Sequence, residues 1–142
     1  MKKIYFCGSI RGGRQLASRY ENMIGMLQQY GEVLTEHLGN DQDLREKDLS
    51  LTDREIHNRD LEWIVESDLV VAEVTVPSLG VGYEIGRALH LGKPVMCLFH
   101  AGSEKPLSAM IAGCGELELF RYHRTEDLKD PLKEFILKQS IT

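Results

Sequence analysis

The sequence predicts an α/β fold of the flavodoxin-like, three-layer type, with a parallel sheet between two layers of helices. Two observations predict it. Short apolar, partly β-branched runs bounded by Gly, Pro or Ser alternate with stretches of helical spacing. The length of 142 residues fits one compact domain. We therefore expect one domain over residues 1–142, with five parallel strands in the order 2-1-3-4-5 and right-handed crossovers.

The predicted strands are short buried runs at residues 4–7, 31–35, 68–74, 94–99 and 117–122. The predicted helices lie between and after them, at residues 15–30, 52–66, 80–91 and 126–138. Thr52 and Glu55 have the spacing of a capping box at the start of the second helix. The polar segment 39–50 has no clear period, which predicts either a mobile lid or a solvated insertion without a role.

Composition excludes several classes of protein. The net charge is −5 and the 17 Lys and Arg residues are scattered, which disfavours a nucleic-acid partner. No apolar run is long enough for a signal peptide or a membrane span, so we expect a cytosolic protein, with a nuclear location as the alternative. The three cysteines form no CxxC pair, which argues against a disulfide framework or a zinc site.

The first candidate binding segment is the glycine-rich stretch that directly follows strand 1. It consists of Gly8, Ser9, Ile10, Arg11, Gly12 and Gly13. Its glycines would let backbone N–H groups approach an anion, and Ser9 and Arg11 add side-chain donors. A phosphate cradle and a simple tight turn are equally compatible with this pattern.

The second candidate segment follows strand 3, and in the predicted strand order it faces the first across the switch point of the sheet. Ser78 could cap the next helix, whose first amides point toward the same crevice, and Gly80 follows it. Glu84 is expected in the first helical turn, where the helix dipole would keep its carboxylate ionised. The alternative is an acidic residue that only stabilises the helix start.

Asp60 lies on the apolar stripe of the predicted helix 52–66, four residues after Ile56 and three before Trp63. Carboxylates are seldom buried without a partner or a function. Packed beside Trp63, Asp60 should have a raised pKa, which suits a general acid. The alternative is a structural ion pair with Arg59 or Arg87.

Glu84 and Asp60 together predict glycosyl transfer, because an ionised and a protonated carboxylate in one cleft divide the roles of nucleophile and acid. A retaining mechanism would place the two carboxyl groups about 5–5.5 Å apart. Glu84 would attack the anomeric carbon, and Asp60 would protonate the departing base and later activate water.

At these residues the sequence resembles the 2'-deoxynucleoside 5'-phosphate N-hydrolases of the nucleoside 2-deoxyribosyltransferase superfamily. The blocks that carry the resemblance keep their order along the chain: YFCGSIRGGR from Tyr5, VLTEH from Val33, DLEW from Asp60, residues 70–88, and LSAMI from Leu107. Residues 38–58 and the chain after Ala112 match poorly, which leaves the base preference open because 39–58 is expected to close over the base.

The resemblance implies a covalent deoxyribosyl 5-phosphate intermediate on Glu84, with Asp60 as acid and base. It implies that Ser9, Ser78 and Ser108, together with Arg11, hold the 5'-phosphate. It further implies a homodimer in which Ser108, with neighbouring Met110, completes the site of the other subunit. A helix cap or turn is the alternative for Ser108.

Two further residues are candidates by position. Tyr5 matches the family tyrosine near the sugar, where it would crowd out a 2'-hydroxyl; the alternative is a core tyrosine. His37, at the end of strand 2, is a candidate for contact with the base.

The expected reaction is hydrolysis to free base and deoxyribose 5-phosphate, without metal or cofactor. The alternatives are a deoxyribosyltransferase, a CMP-type ribonucleotide hydrolase and a nucleotide-binding module without catalysis.

Overall fold

The computed structural model describes residues 1–10, 13–39 and 50–139. The strands are Lys2–Gly8 (β1), Gly31–Val33 (β2), Leu69–Glu73 (β3), Val95–His100 (β4) and Glu118–Tyr122 (β5). The helices are Gly13–Gln28 (α1), Asp53–Glu66 (α2), Leu79–His90 (α3), Ala109–Ala112 (α4) and Lys129–Lys138 (α5). Short 3₁₀ helices cover Glu36–Gly39 and Thr125–Leu128.

The strands form one parallel sheet in the order β2-β1-β3-β4-β5, which confirms the predicted topology. Ile4 of β1 is paired with Val33 of β2 on one side and with Leu69 of β3 on the other. The chain thus runs outward from β1 to β2 and returns to β3. The crevice created by this reversal lies beyond the carboxyl ends of β1 and β3.

Each face of the sheet has its own apolar core. On one face, Phe6 of β1 packs with residues of α1 and α5, including Tyr20 and Phe135. On the other face, Tyr5 packs with residues of α2 and α3, including Ile64. Alternation of side chains along β1 therefore assigns Tyr5, and with it the candidate site, to the face covered by α2 and α3.

Local signals explain most of the element boundaries. The capping box between Thr52 and Glu55 is present at the start of α2, as predicted. Strand β2 ends earlier than predicted because the side chain of Thr35 replaces its backbone in the pairing with β1. Thr35 Oγ1 accepts a hydrogen bond from the N–H of Phe6 at 3.0 Å and donates one to the carbonyl oxygen of Phe6 at 2.5 Å. Helix α4 was not predicted, since four residues are too few to show a helical period.

The C-terminal helix was predicted to begin at residue 126, but a 3₁₀ turn occupies Thr125–Leu128 and α5 begins at Lys129. Of the predicted lid at 39–50, residues 40–49 lie outside the described residues. Within the described ranges, no helix is long and apolar enough to cross a membrane.

Candidate active site

A cavity of about 420 Å³ lies at the predicted switch point. It brings together nine of the residues selected from the sequence, which are Tyr5, Gly8, Ser9, Ile10, His37, Asp60, Ser78, Gly80 and Glu84. Both carboxylates therefore line one cavity, beside the ends of both candidate binding segments. The expected distance of about 5–5.5 Å between the two carboxyl groups of a retaining enzyme stays a prediction.

Glu84 projects from α3, which begins at Leu79 after Ser78 caps it. Glu84 is thus in the second turn, not in the first turn as predicted. Its Oε2 accepts a short hydrogen bond from the hydroxyl of Tyr5 on β1. Because Tyr5 is only 1% exposed, the β-strand holds the phenol rigidly against the carboxylate.

Burial raises the pKa of Glu84 to about 7, although the hydrogen bond from Tyr5 opposes the rise. The expectation that the helix dipole would hold Glu84 ionised was therefore wrong in direction. The dipole acts mainly within the first turn, whereas the loss of solvation acts wherever the carboxyl is buried. At neutral pH Glu84 is poised between its two protonation states.

Asp60 projects from α2 and forms an ion pair with its neighbour Arg59. Nη2 and Nε of Arg59 lie 2.9 Å and 3.0 Å from Asp60 Oδ1. The ion-pair alternative considered for Asp60 is thus present. Ile56 and Trp63, two residues of the predicted apolar stripe, are only half-buried. The protonated state expected of Asp60 stays a prediction.

Arg59 and His37 are both positioned by Trp63. The guanidinium carbon of Arg59 lies 4.8 Å from the centroid of the Trp63 ring, and the His37 ring lies 5.7 Å from it. His37 is buried in the 3₁₀ helix after β2, not at the end of the strand. Trp63 thus lies beside two residues of the cavity lining, His37 and Arg59.

The glycine-rich loop after β1 is held from below by Tyr20 of α1. The Tyr20 hydroxyl donates to the carbonyl oxygen of Ser9 at 2.9 Å. A Cβ at Gly8 would lie 2.5 Å from Cζ of Tyr20, so a side chain at this position would displace the ring. Ser9 and Ile10 line the cavity, Gly13 begins α1, and Arg11 and Gly12 lie outside the described residues.

Ser78 caps α3, as predicted, by accepting the N–H of Val81 at 3.2 Å. Gly80 lies beside the Glu84 carboxylate: a Cβ there would lie 3.9 Å from Glu84 Oε1. A larger side chain at Gly80 would therefore narrow the cavity beside Glu84.

Ser108 and Met110 are not in this cavity. They line a second one of about 400 Å³, formed between α3 and α4. Ser108 caps α4 by accepting the N–H of Met110 at 3.3 Å, so the helix-cap alternative is present. Within one chain, the structure does not bring Ser108 to Glu84.

Arg59 also lines the cavity, which the sequence did not predict. It was considered only as a structural partner of Asp60, because a sequence does not show which side of a helix faces a cleft formed with another segment. Across the described parts of the chain, no group of three or more His, Cys, Asp or Glu side chains is arranged to hold a metal ion.

Residues 4–122 match the model of the nucleoside 2-deoxyribosyltransferase family. The match spans both candidate binding segments, α2 and α3, so it includes Asp60 and Glu84. The chain belongs to the nucleoside 2-deoxyribosyltransferase family. The resemblance drawn from its motifs is thereby confirmed.

Several members of this family are about half identical to the chain. A 5-hydroxymethyl-dUMP N-hydrolase of Danio rerio is 49% identical over 136 residues, which cover 96% of this chain and 93% of the relative. That of Homo sapiens is 49% identical over 119 residues, covering 83% and 68%. A Nematostella vectensis protein provisionally named 2'-deoxynucleoside 5'-phosphate N-hydrolase 1 is 53% identical over 138 residues, covering 94% and 93%.

Solved structures with the same fold are more distant in sequence. The CMP N-glycosidase of Clostridium botulinum superposes with a TM-score of 0.67 at 21% identity, covering 93% of this chain and 99% of that one. A deoxyribosyltransferase of Leishmania mexicana superposes with a TM-score of 0.53 at 17% identity, covering 88% and 82%. These similarities support the predicted fold.

Proposed function

We propose that this protein is a hydrolase that cleaves the N-glycosidic bond of 2'-deoxynucleoside 5'-monophosphates, with Glu84 as nucleophile. The observation that carries the proposal is the placement of Glu84 and Asp60 in one cavity, beside Ser9 and Ser78. Relatives about half identical to the chain are named as hydrolases of such nucleotides. Their names make 5-hydroxymethyl-dUMP the first substrate to test.

The reaction proceeds by retention in two displacements. Ionised Glu84 forms a bond to the anomeric carbon while the bond from that carbon to the base nitrogen breaks, and Asp60 gives its proton to the base. Asp60 then takes a proton from water, and the resulting hydroxide releases deoxyribose 5-phosphate from Glu84. Each carboxyl group ends in its starting state, and no cofactor is consumed.

Tyr5 supports the choice of a deoxyribose sugar. Its hydroxyl donates a hydrogen bond to Glu84, and Tyr5 is a buried residue of β1. The sugar of a substrate bound at Glu84 would therefore contact a phenol ring that cannot move aside. An additional 2'-hydroxyl would have to displace this ring or bury an extra polar group beside it. We therefore propose that ribonucleotides are poorer substrates.

The 5'-phosphate would be bound by Ser9, Ser78 and Arg11 of one subunit, with Ser108 of the partner subunit completing the site in a homodimer. The surface around Ser108 favours such an interface, because Leu79 is 97% exposed and Met110 is 82% exposed and both line the second cavity. Large apolar side chains exposed together are typical of protein interfaces.

We further propose that residues 1–142 act as a single catalytic domain in the cytosol, with a nuclear location as the alternative. All three cysteines are free thiols, which suits a reducing compartment.

The test is release of free base, followed by chromatography, from 5-hydroxymethyl-dUMP, dGMP, GMP and deoxyguanosine. We expect release from the two deoxynucleotides and little from GMP or deoxyguanosine. Absence of release from every deoxynucleotide would overturn the proposal. Equal cleavage of GMP would remove the role of Tyr5, and transfer of deoxyribose to an added free base in preference to water would indicate a transferase.

A mixing experiment tests the shared site. Dimers that combine a Ser108→Ala subunit with a Glu84→Ala subunit contain one intact site if Ser108 acts across the interface. We expect activity in the mixture that neither variant shows alone. Mixed dimers, isolated with two different affinity tags, that remain as inactive as the parents would contradict the sharing of sites.

A further inference from the structure

The peptide between Ser9 and Ile10 is held by a tyrosine that lies behind the glycine-rich loop. The hydroxyl of Tyr20 donates a buried hydrogen bond of 2.9 Å to the carbonyl oxygen of Ser9. Tyr20 belongs to the core on the face covered by α1 and α5, whereas Ser9 and Ile10 line the cavity that contains Glu84. Tyr20 therefore contacts the loop from the side opposite to the cavity.

The Tyr20 side chain has little freedom to move. It is buried, and its ring packs edge-on against Phe6 with the ring centroids 5.4 Å apart. Gly8 allows the close approach, because a Cβ at this position would lie 2.6 Å from the Tyr20 hydroxyl oxygen. Burial, and after it the carboxylate of Glu73, raises the pKa of Tyr20 well above its ordinary value. The hydroxyl thus stays protonated and remains a donor to Ser9.

The direction of the Ser9 carbonyl determines the direction of the next N–H group. The peptide units of the described residues are all trans, and in a planar trans peptide the C=O and the N–H point in opposite directions. Since the Ser9 carbonyl points toward Tyr20, the N–H of Ile10 points away from Tyr20. Backbone N–H groups with a fixed direction are effective donors to anions.

We propose that Tyr20 is a positioning residue for phosphate binding, whose hydroxyl keeps the N–H of Ile10 directed at the 5'-phosphate of the substrate. This inference rests on the function proposed above and adds a backbone donor to the side chains proposed there. A hydrogen bond from an N–H to a charged oxygen is about twice as strong as one between neutral groups. Tyr20 does not touch the substrate, so its hydroxyl affects only ligands that carry the phosphate.

Tyr122 provides a matched control for the loss of a hydroxyl group. It is a buried residue of β5 in the same core as Tyr20, but its hydroxyl donates to Glu73 and not to the loop. Tyr20→Phe and Tyr122→Phe each remove one buried hydroxyl and keep the ring. A change in phosphate binding that is confined to Tyr20→Phe would therefore report the hydrogen bond to Ser9.

The first experiment measures phosphate binding without catalysis. The ¹⁵N-labelled protein is titrated with 2-deoxyribose 5-phosphate, or with 2-deoxyribose as the ligand without phosphate, and the amide signal of Ile10 is followed by NMR. In the wild type and Tyr122→Phe, we expect this signal to shift with the phosphorylated sugar only. In Tyr20→Phe the dissociation constant of 2-deoxyribose 5-phosphate should rise by about tenfold.

Two results of this titration would overturn the proposal. One is an Ile10 signal that does not respond to 2-deoxyribose 5-phosphate in the wild type. The other is the same dissociation constant in Tyr20→Phe and Tyr122→Phe.

Gly8→Ala tests the same contact by a different change. The added Cβ would lie 2.5 Å from Cζ of Tyr20, so the ring has to move away from the loop although its hydroxyl is still present. We expect the dissociation constant of 2-deoxyribose 5-phosphate to rise by about tenfold in this variant too. A Gly8→Ala protein that binds this ligand as tightly as the wild type would contradict the proposal.

The second experiment compares kcat/KM for dGMP and deoxyguanosine, which differ only in the 5'-phosphate. Tyr20→Phe should reduce the preference for dGMP by about tenfold, with kcat/KM for deoxyguanosine unchanged. A general disturbance of the fold would lower both values and leave their ratio constant. A ratio in Tyr20→Phe equal to that in Tyr122→Phe would therefore overturn the role of Tyr20.

The two experiments separate this proposal from the proposed function. A wild type that releases no base from any deoxynucleotide would overturn the hydrolase assignment, and the NMR titration would still decide whether Tyr20 positions the Ile10 N–H for phosphate. An active wild type, combined with unaltered phosphate binding in Tyr20→Phe, would leave the hydrolase assignment in place and overturn only the role of Tyr20.

Discussion

Two glutamates near the carboxyl ends of the strands, one on each face of the sheet, have similar partners and different surroundings; Glu73 is buried and Glu84 is half-buried. Glu84 accepts a hydrogen bond from Tyr5 on the face covered by α2 and α3. Glu73, at the end of β3, accepts one from Tyr122 on the other face. Each phenol belongs to a buried strand residue.

The difference lies in what else each carboxylate contacts. Glu73 is sealed in the core: its Oε1 accepts the N–H of Thr75 at 2.6 Å, and Thr75 Oγ1 in turn accepts the N–H of His100 at 2.8 Å. Glu84 lines an open cavity together with Asp60. A glutamate that accepts a hydrogen bond from a buried tyrosine is therefore equally compatible with a structural role. The cavity and the second carboxylate distinguish Glu84 as the candidate nucleophile.

The largest expected effect is a difference in kcat between variants of the two glutamates. Glu84→Gln should reduce kcat by about a thousandfold or more, because the amide cannot form the covalent bond to the sugar. Glu73→Gln should stay within about tenfold of the wild type. Both are measured as base release from 5-hydroxymethyl-dUMP under saturating substrate. A Glu73→Gln variant as inactive as Glu84→Gln, yet folded by circular dichroism, would contradict the distinction.

The second expected effect is on the pH profile and depends on Asp60. Asp60 and Glu84 together must hold one proton, because the reaction delivers a proton to the base. The last proton leaves the two carboxyl groups with the raised pKa of Glu84, about 7. Since kcat/KM reports the free enzyme, it should fall by about tenfold per pH unit above this value. Asp60→Asn should lower kcat/KM by about a hundredfold or more.

The opposite profile would change the mechanism. If kcat/KM instead rose through pH 7 and stayed high at pH 9, ionisation of Glu84 alone would limit the reaction. The proton for the base would then have to come from another donor.

The smallest expected effect is on stability, and it has opposite signs at the two positions. The pKa of Glu84 is raised from 4.5 to about 7 on folding, so the stability linked to this group is complete below about pH 4.5 and lost as the pH rises to 7. The neutral side chain of Glu84→Gln does not ionise, so this variant does not lose that stability. Its free energy of unfolding at pH 8 should exceed that of the wild type by up to about 3 kcal/mol.

At Glu73 the same change should destabilise the protein by about 1–3 kcal/mol, because it disturbs hydrogen bonds that no water can replace. Urea unfolding at pH 5 and pH 8 measures both variants. A Glu84→Gln variant less stable than the wild type at pH 8 would show that the carboxylate contributes to the fold, as Glu73 does.

Much of this molecule follows from local sequence signals. Short apolar runs between stretches of helical spacing predicted the sheet order, and the sheet order placed the loops after Cys7 and Val74 together. The caps at Thr52 and Ser78 were predicted because capping depends on neighbours three residues away. The motifs around Asp60 and Glu84 also predicted the family.

The protonation state of Glu84 could not be predicted in this way. Glu84 was expected to be ionised, but burial raises its pKa to about 7. For Asp60, the ion pair with Arg59 that was considered as an alternative is present. Solvation and ion pairing depend on side chains that the fold brings from β1, α2 and α3 to one place. The spacing of these side chains along the sequence does not predict how close they lie in the folded protein.

The sequence by itself thus determined the fold class and the family, and it identified Glu84 and Asp60 as the candidate carboxylates. Periodicity, capping and motif spacing are properties of neighbouring residues, so they can be read from the sequence. Only the tertiary structure decided which glutamate faces a cavity, which faces the core, and what Arg59 contacts. Those outcomes depend on the exclusion of water from sites formed by distant segments, and burial is settled only when the segments pack.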